Sequence, residues 1–208
     1  MDDITNRIEP VATIDPALRT RLGRLVDRGW EIFERFDLDV RRKRFHPFVA
    51  ADYERVLAAL TRLRSPGARF VEWGSATGVI TIMASLLGFE AYGIELDPSL
   101  VRIARELAGE FDATAVFAEG SFVPTGYRWR PATGDGRWGT IGEGPSAYPI
   151  IGHPLDDFDV VFGYPWGGEE PMMLDLMKQY GQPGALLLLN GDGGVSAYRD
   201  GRALGGGA

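Results

Sequence analysis

Apolar positions in the first third of the chain recur at helical steps. Leu18, Leu22, Leu25, Val26, Phe33 and Phe36 fall on one face at three- and four-residue spacing. Asp15-Pro16 supplies an N-cap followed by a residue whose φ is preset for a helix, so a helix is expected from that point. A second helix is expected over 50–64, with Tyr53, Val56, Leu57, Leu60 and Leu63 as its apolar face, ended by Ser65-Pro66-Gly67. Beyond that turn the pattern changes to short apolar runs alternating with helical periods. Residues 69–73, 91–96, 114–118, 159–163 and 185–189 read as strands. Residues 79–87 read as a buried helix. Asp97-Pro98 starts another, carrying Leu100, Val101, Ala104 and Leu107 on one face. Residues 169–180 form a helix with acidic side chains at its positive end.

Strands alternating with helices predict an α/β fold with a mostly parallel sheet, right-handed crossovers and helices on both faces. Residues 1–66 read as a helical extension or cover, and residues 67–208 as one compact unit. Two stretches break the alternation. Residues 120–157 show no clear period and are rich in Gly, Pro and aromatics, among them Tyr127, Trp129, Trp138 and Tyr148. A stretch of that length is expected to be a lid on the substrate side or a neutral insertion with a hairpin of its own. After the fifth strand little chain remains. Asp200-Gly201 can turn a small hairpin between 195–199 and 202–204, so the C-terminal sheet edge is expected to be shortened, and 205–208 to fray.

Composition narrows the function classes. The chain of 208 residues is 45% hydrophobic and 25% charged, ordinary values for a soluble globular protein. No apolar run approaches the length that spans a bilayer, and the acidic start Met1-Asp2-Asp3 lacks the features of a signal peptide, so a cytoplasmic protein without membrane partners is expected. The absence of cysteine excludes disulfides, thiolate metal sites and a Cys nucleophile. Net charge is −7, unevenly placed: residues 1–69 carry 14 basic and 11 acidic side chains, the remainder 8 and 18. The acidic majority of the chain disfavours nucleic acid as a partner. The basic run Arg41-Arg42-Lys43-Arg44 reads as a solvated connection between helices or a contact for an acidic partner.

The chemistry concentrates in residues 70–78, Phe-Val-Glu-Trp-Gly-Ser-Ala-Thr-Gly, where an apolar strand turns into a helix. Glycine permits close approach of backbone to a nucleotide-like ligand there, and free N–H groups at the helix start can meet its acceptors. Glu95, 23 residues after Glu72, ends the next strand, where an acidic side chain can bind ribose hydroxyls. The dinucleotide fingerprint G-x-G-x-x-G fails, because its second and third glycines fall on Ala76 and Val79, and no phosphate-binding P-loop motif is present.

This stretch resembles motif I of the class I, seven-strand, Rossmann-like S-adenosylmethionine (SAM)-dependent methyltransferases, an acidic residue followed by x-G-x-G-x-G, met here by Glu72, Gly74, Ala76 and Gly78. Gly93 to Arg105 is also similar to that family, and the resemblance covers about residues 68–190. It implies a SAM-binding methyltransferase domain over 67–208. It places Glu72, Gly74, Ser75, Ala76 and Gly78 at the amino-acid portion of SAM, Glu95 at the ribose, and Glu119, Gly120 and Ser121 beside the adenine, with Leu96 and Gly163 completing the cofactor-binding set. Tyr164-Pro165-Trp166, after the fourth strand, takes the place of the substrate-facing catalytic motif. Amino-methylating relatives often carry Asp/Asn-Pro-Pro-aromatic there, and here Tyr164 replaces the polar group. No metal is implied.

Ala76 stands where the motif has glycine, and its methyl group is expected to be tolerable only if φ is negative and the ligand leaves room. The family's helix before strand six, and its full closing hairpin, are expected to be missing or shortened. Glu169 and Glu170 could attract or deprotonate an amine, or serve as helix-start acids. His46 and His153, each before a proline, are minor catalytic candidates. The segment from Phe45 to Phe48, with Tyr53, is expected to fold over the cofactor, Tyr53 or Phe48 lining the site. The expected function is methyl transfer to a nitrogen or oxygen nucleophile of a small molecule or protein side chain. A SAM-binding module without turnover and an NAD(P)-dependent oxidoreductase remain as alternatives.

Overall fold

The computed structural model describes residues 14–43, 46, 48–129, 144–166, 168–191 and 193–205. Helix α1 (Pro16–Phe36) starts at the expected signal: the Asp15 carboxylate accepts a hydrogen bond from the Ala17 N–H at 3.1 Å. It runs into a π-helical turn at Asp37–Arg41, where both Arg41 and Arg42 pair with Asp37. The basic run is therefore partly neutralised within its own turn; Arg44 lies outside the described residues. Helix α2 (Tyr53–Arg62) is capped by Asp52, which accepts from the Arg55 N–H.

The alternating part follows as β1 (Arg69–Trp73), α3 (Val79–Leu86), β2 (Glu90–Glu95), α4 (Pro98–Glu110), β3 (Val116–Glu119), α5 (Tyr148–Ile151), β4 (Val160–Gly163), α6 (Glu170–Tyr180), β5 (Leu186–Gly191), β6 (Gly194–Arg199) and β7 (Arg202–Ala203). The seven strands form one sheet in the order β3-β2-β1-β4-β5-β6-β7. Strands β1 to β5 are mutually parallel, whereas β6 pairs antiparallel with β5 and β7 antiparallel with β6. The fold is the expected α/β arrangement, with a shortened edge: β5 turns back as β6 with no helix between them, and β7 has two residues.

Chain direction across the sheet decides where a ligand can sit. From β1 the chain steps outward through β2 to β3, then returns to place β4 and β5 on the other side of β1. The strand order reverses between β1 and β4. In open parallel sheets such a reversal leaves a crevice at the carboxyl ends of the strands, because the crossovers on either side diverge from it. Register keeps those ends level, with Trp73 opposite both Ile94 and Gly163, and Glu95 opposite Glu119.

Two cores flank the sheet. On one face α1 to α4 pack Leu22, Leu25, Val56, Leu60, Ile82 and Met83 against Phe70 and Phe162. On the other, α5 and α6 pack Tyr148, Met172, Met173 and Leu176 against Val71, Trp73, Val161 and Leu187. The segment expected as an aperiodic loop is therefore partly structural: its second half carries α5 and a 3-10 turn at Leu155–Asp157 and supplies core side chains. Pro149 at the first turn and Gly152 at its end define α5, a helix too short to give a periodic signal. Residues 130–143, including Trp138, and residues 206–208 lie outside the described residues.

Candidate functional site

The turn after β1 is built from hydrogen bonds to its neighbour β2. The Ser75 N–H donates to the Ile94 carbonyl at 2.8 Å, prolonging the ladder, and the Gly78 N–H donates back to the Ser75 carbonyl at 2.7 Å. Gly74 and Gly78 adopt left-handed backbone conformations, φ +71° and +79°. Ala76 does as well, at φ +45°, which corrects the expectation that its methyl group requires a negative φ. The conformation is enforced because the Ala76 N–H donates to Glu95 Oε2 at 2.9 Å, at a backbone cost of about 1–2 kcal/mol. The other Glu95 oxygen accepts from the Asp97 N–H at 2.9 Å, so this carboxylate braces both the turn and the exit from β2.

A cleft of about 220 Å³ opens where the strand order reverses. Strand β1 and its turn contribute Glu72, Trp73, Gly74, Ser75, Ala76 and Thr77. Strand β2 contributes Ile94, Glu95, Leu96 and Asp97, the end of β3 contributes Gly120 and Phe122, and β4 contributes Phe162, Tyr164 and Trp166. The roof comes from the N-terminal part of the chain, through His46, Phe48, Val49, Ala50, Ala51 and Tyr53. His46 ties this roof to the sheet. Its Nδ1 accepts from the Phe48 N–H at 3.1 Å, which puts the proton on Nε2, 3.2 Å from Asp97 Oδ2. Phe48 packs with Phe36 and Leu100 on the same side.

The charge of the cleft is one-sided. Glu72, Glu95 and Asp97 line it, and neither Lys nor Arg is among its described lining residues. Glu72 is 4% exposed. Its Oε2 accepts from both the N–H and the hydroxyl of Thr81, leaving Oε1 available to the cleft. Burial pushes its carboxyl up to about 8 against the pull of those two hydrogen bonds, and the Glu95 charge adds to the rise. Glu95 is also raised by burial, despite its backbone hydrogen bonds. Burial opposes ionisation of Asp97 too, but the Ser99 and His46 hydrogen bonds outweigh it and the pKa is lowered. Burial raises the Tyr53 phenol, next to Glu72. The Ser75 hydroxyl is buried and has no hydrogen-bond partner among the described residues.

Of the residues singled out in the sequence, Glu72, Gly74, Ser75, Ala76, Glu95, Leu96, Gly120, Tyr164 and Trp166 converge on the cleft, and so do Phe48 and Tyr53. Gly78, Glu119, Ser121, Gly163 and Pro165 do not line it. Gly78 is instead a packing glycine: a Cβ there would lie 2.6 Å from the Phe117 ring and 2.8 Å from Ala104. A Cβ on Gly163 would meet Met173 Sδ at 3.0 Å, on the α6 side of the sheet. Ser121 holds the chain after β3, its hydroxyl accepting from the Val123 N–H. A Cβ on Gly74 would meet nothing within 4 Å, so the space beside the turn is open.

Glu169 accepts from the Trp166 N–H at 2.8 Å, so it shapes the turn carrying Trp166, and Glu170 accepts from the Tyr198 hydroxyl. His153 lies away from the cleft, bonded to Asp157. Thr77, Asp97 and Phe122 also reach the cleft, and sequence reasoning had not singled them out as site residues. Asp97 was legible only as a helix cap, which it also is. Among the described residues, no three His, Asp or Glu side chains form a metal-ligating group, and no helix is long and apolar enough to cross a membrane.

Comparison with known proteins gives a local sequence likeness and several structural ones. No family model matches the chain. The ribosomal protein L11 methyltransferase of Carboxydothermus hydrogenoformans is 42% identical over 52 residues, 24% of this chain and 17% of that protein, so the match spans about a sixth of the relative's length. An RNA methyltransferase from Salinibacter ruber, solved with S-adenosyl-L-homocysteine, is 19% identical and has a TM-score of 0.45, covering 64% of this chain and 72% of that one. A precorrin-6y C5,15-methyltransferase from Geobacter metallireducens is 18% identical with a TM-score of 0.47, covering 71% and 66%. A SAM-dependent methyltransferase from Thiobacillus denitrificans, also with S-adenosyl-L-homocysteine, is 20% identical with a TM-score of 0.46, covering 76% and 54%. The chain is thus similar, over part of its length, to proteins described as methyltransferases.

Proposed function

We propose that this protein binds SAM in the cleft between β1 and β4 and transfers its methyl group to a nucleophile held near Tyr164 and Trp166. The observation that carries the reading is the convergence of the turn residues Gly74, Ser75, Ala76 and Thr77 with Glu95 on one acidic cleft at the switch point of a parallel sheet. The residues fit such a ligand. Glu72 Oε1 and the unpartnered Ser75 hydroxyl suit an ammonium and a carboxylate, respectively. The open space beside Gly74 admits a ligand against the backbone. In this reading Glu95, at the cleft, would accept from ribose hydroxyls, and Leu96 and Gly120, which also line the cleft, would border the rest of the nucleoside. The local likeness to a protein methyltransferase supports the same reading.

Bound SAM supplies an activated methyl group on a positively charged sulfur. The chain has three tasks around it: to neutralise the cation with carboxylates, to hold the nucleophile in line, and to exclude water. Alignment of this kind can supply up to roughly 7–11 kcal/mol of the barrier. Phe48, Tyr53 and Ala51 roof the cleft against water.

A thermal-shift comparison of SAM, S-adenosylhomocysteine and NADH tests the proposal. At a hundredfold excess over Kd a native-state ligand stabilises by about 2.7 kcal/mol, roughly 5–10 °C for a chain of this size. SAM and S-adenosylhomocysteine are expected to raise Tm and NADH to leave it unchanged, with the rise lost in Glu95→Ala. A rise with NADH alone would favour a nicotinamide enzyme. SAM binding without turnover on any acceptor would favour a non-catalytic module.

A further inference from the structure

Glu72 reaches the cleft from β1, and its hold on the neighbouring helix comes from Thr81. Helix α3 begins at Gly78, which has no side chain to cap it. The N–H of Thr81, the third residue of the helix, therefore has no partner within α3. Glu72 Oε2 accepts from that N–H at 2.9 Å and from the Thr81 hydroxyl as well. The carboxyl thus stands in for the missing cap from nine residues upstream. Thr81 is fully buried and Glu72 nearly so, so water does not compete for these bonds.

Two donors on one oxygen decide where a proton can sit. With the N–H and the hydroxyl both aimed at Oε2, the neutral carboxyl carries its proton on Oε1, the oxygen available to the cleft. The titratable groups that share the cleft are Glu95 and Asp97 at the end of β2, Tyr53 of α2, His46 of the roof and Tyr164 after β4. Helix α3 carries no ionisable side chain. The Glu95 charge opposes ionisation of Glu72, whereas the two Thr81 hydrogen bonds favour it.

We propose that Thr81 is a positioning residue for cofactor binding: its N–H and hydroxyl hold Glu72 Oε2, so that Oε1, the oxygen bearing the exchangeable proton, faces the ammonium group of SAM. The inference rests on the SAM reading above. Binding then replaces an O–H by an ion pair. The proton leaves Oε1 for solvent, and the carboxylate left behind accepts a hydrogen bond from the ammonium.

The test is calorimetry of SAM with the whole chain and with Thr81→Val, which keeps the shape and drops the hydroxyl. A hydrogen bond to a charged group is worth about tenfold in an equilibrium, so Glu72 should ionise about one pH unit higher without it. At pH 7, SAM is expected to bind Thr81→Val about tenfold more weakly than the parent. At pH 8 the parent, close to half ionised at Glu72, should release about half a proton per SAM, and Thr81→Val close to one. Thr81→Ala, which drops the hydroxyl without a second methyl group, should match Thr81→Val. Thr81→Ser, which keeps the hydroxyl, should show the affinity and proton count of the parent. In a Glu72→Gln background, Thr81→Val should change SAM affinity by less than about threefold, because the charge that the hydroxyl supports is gone. A role confined to capping α3 would lower the urea midpoint and leave affinity and proton count unmoved. That result, equal weakening in both backgrounds, or a Thr81→Ser that behaves like Thr81→Val would overturn the proposal. Failure of SAM to bind the parent would instead strike the SAM reading itself.

Discussion

Glu72 has one carboxylate oxygen engaged by Thr81 and the other available to the cleft, with neither Lys nor Arg among the described residues lining the space it faces. Its raised pKa of about 8 fixes the sign of two pH effects. In the unfolded chain this carboxyl ionises near its ordinary value, whereas in the folded protein it stays protonated to about pH 8. Its contribution to stability is fully present below the ordinary value and is lost as pH rises through the folded one, at up to about 1.4 kcal/mol per pH unit between them. A ligand cation beside Oε1 reverses the preference and drives the proton off. SAM affinity is therefore expected to rise up to roughly tenfold per pH unit from pH 6 to 8 and then to level. Calorimetry near pH 7 in buffers of different ionisation heat should register about one proton released per SAM bound. Glu72→Gln should flatten both the affinity profile and the stability profile. Binding without proton release in the parent would show that Glu72 does not face the cation. The positions of Glu72 and Glu95 were readable from spacing, because each sits at a strand end. The backbone of Ala76 was not, because its conformation depends on a hydrogen bond to Glu95, 19 residues away.

At the level of elements, the order of the longer strands and helices was legible, since each carries its own period and α1, α2 and α4 also start at an Asp cap. Errors cluster where period is absent. Strand β3 starts two residues later than its apolar run and ends on Glu119, and α5 is one turn long. Gly78 shows how a motif residue can have a packing task that spacing does not reveal. It was expected at the cofactor, but it lies at the N-cap of α3, where the Phe117 ring of β3 and Ala104 of α4 close in on it. No side chain fits there without moving the β3 and α4 side chains against it. Gly78→Ala combines a left-handed φ with overpacking, and should cost about 2–4 kcal/mol in urea unfolding. Because Gly78 does not line the cleft, the folded fraction of the variant should keep a SAM affinity within a few-fold of the parent, measured well below its transition. A large loss of affinity with little loss of stability would return Gly78 to the cofactor.

Across the whole molecule, the N-terminal helices were read as a cover, yet their apolar faces enter the main core. Leu22, Leu25 and Val26 of α1 and Tyr53, Val56 and Leu60 of α2 belong to the same buried cluster as Val79, Ile80, Ile82 and Met83 of α3. Trp30 and Tyr53 rings touch at 5.0 Å, and a Cβ on Gly29 would lie 2.9 Å from Val79, so α1 sits directly on α3. Composition cannot reveal this, because an amphipathic helix reads alike whether its apolar face covers a ligand or completes a core. Burying those six side chains contributes on the order of 10 kcal/mol as an upper bound, comparable to the whole net stability of a typical domain. A fragment of residues 67–208 should therefore retain helical signal in the far ultraviolet but lose near-ultraviolet signal, bind hydrophobic dyes and unfold without a cooperative transition. Co-expressed residues 1–66 should restore cooperativity if the two parts dock. Cooperative unfolding of the fragment alone would mean that the α3 face is satisfied without α1 and α2, and that the segment holding His46 against Asp97 is a detachable cover.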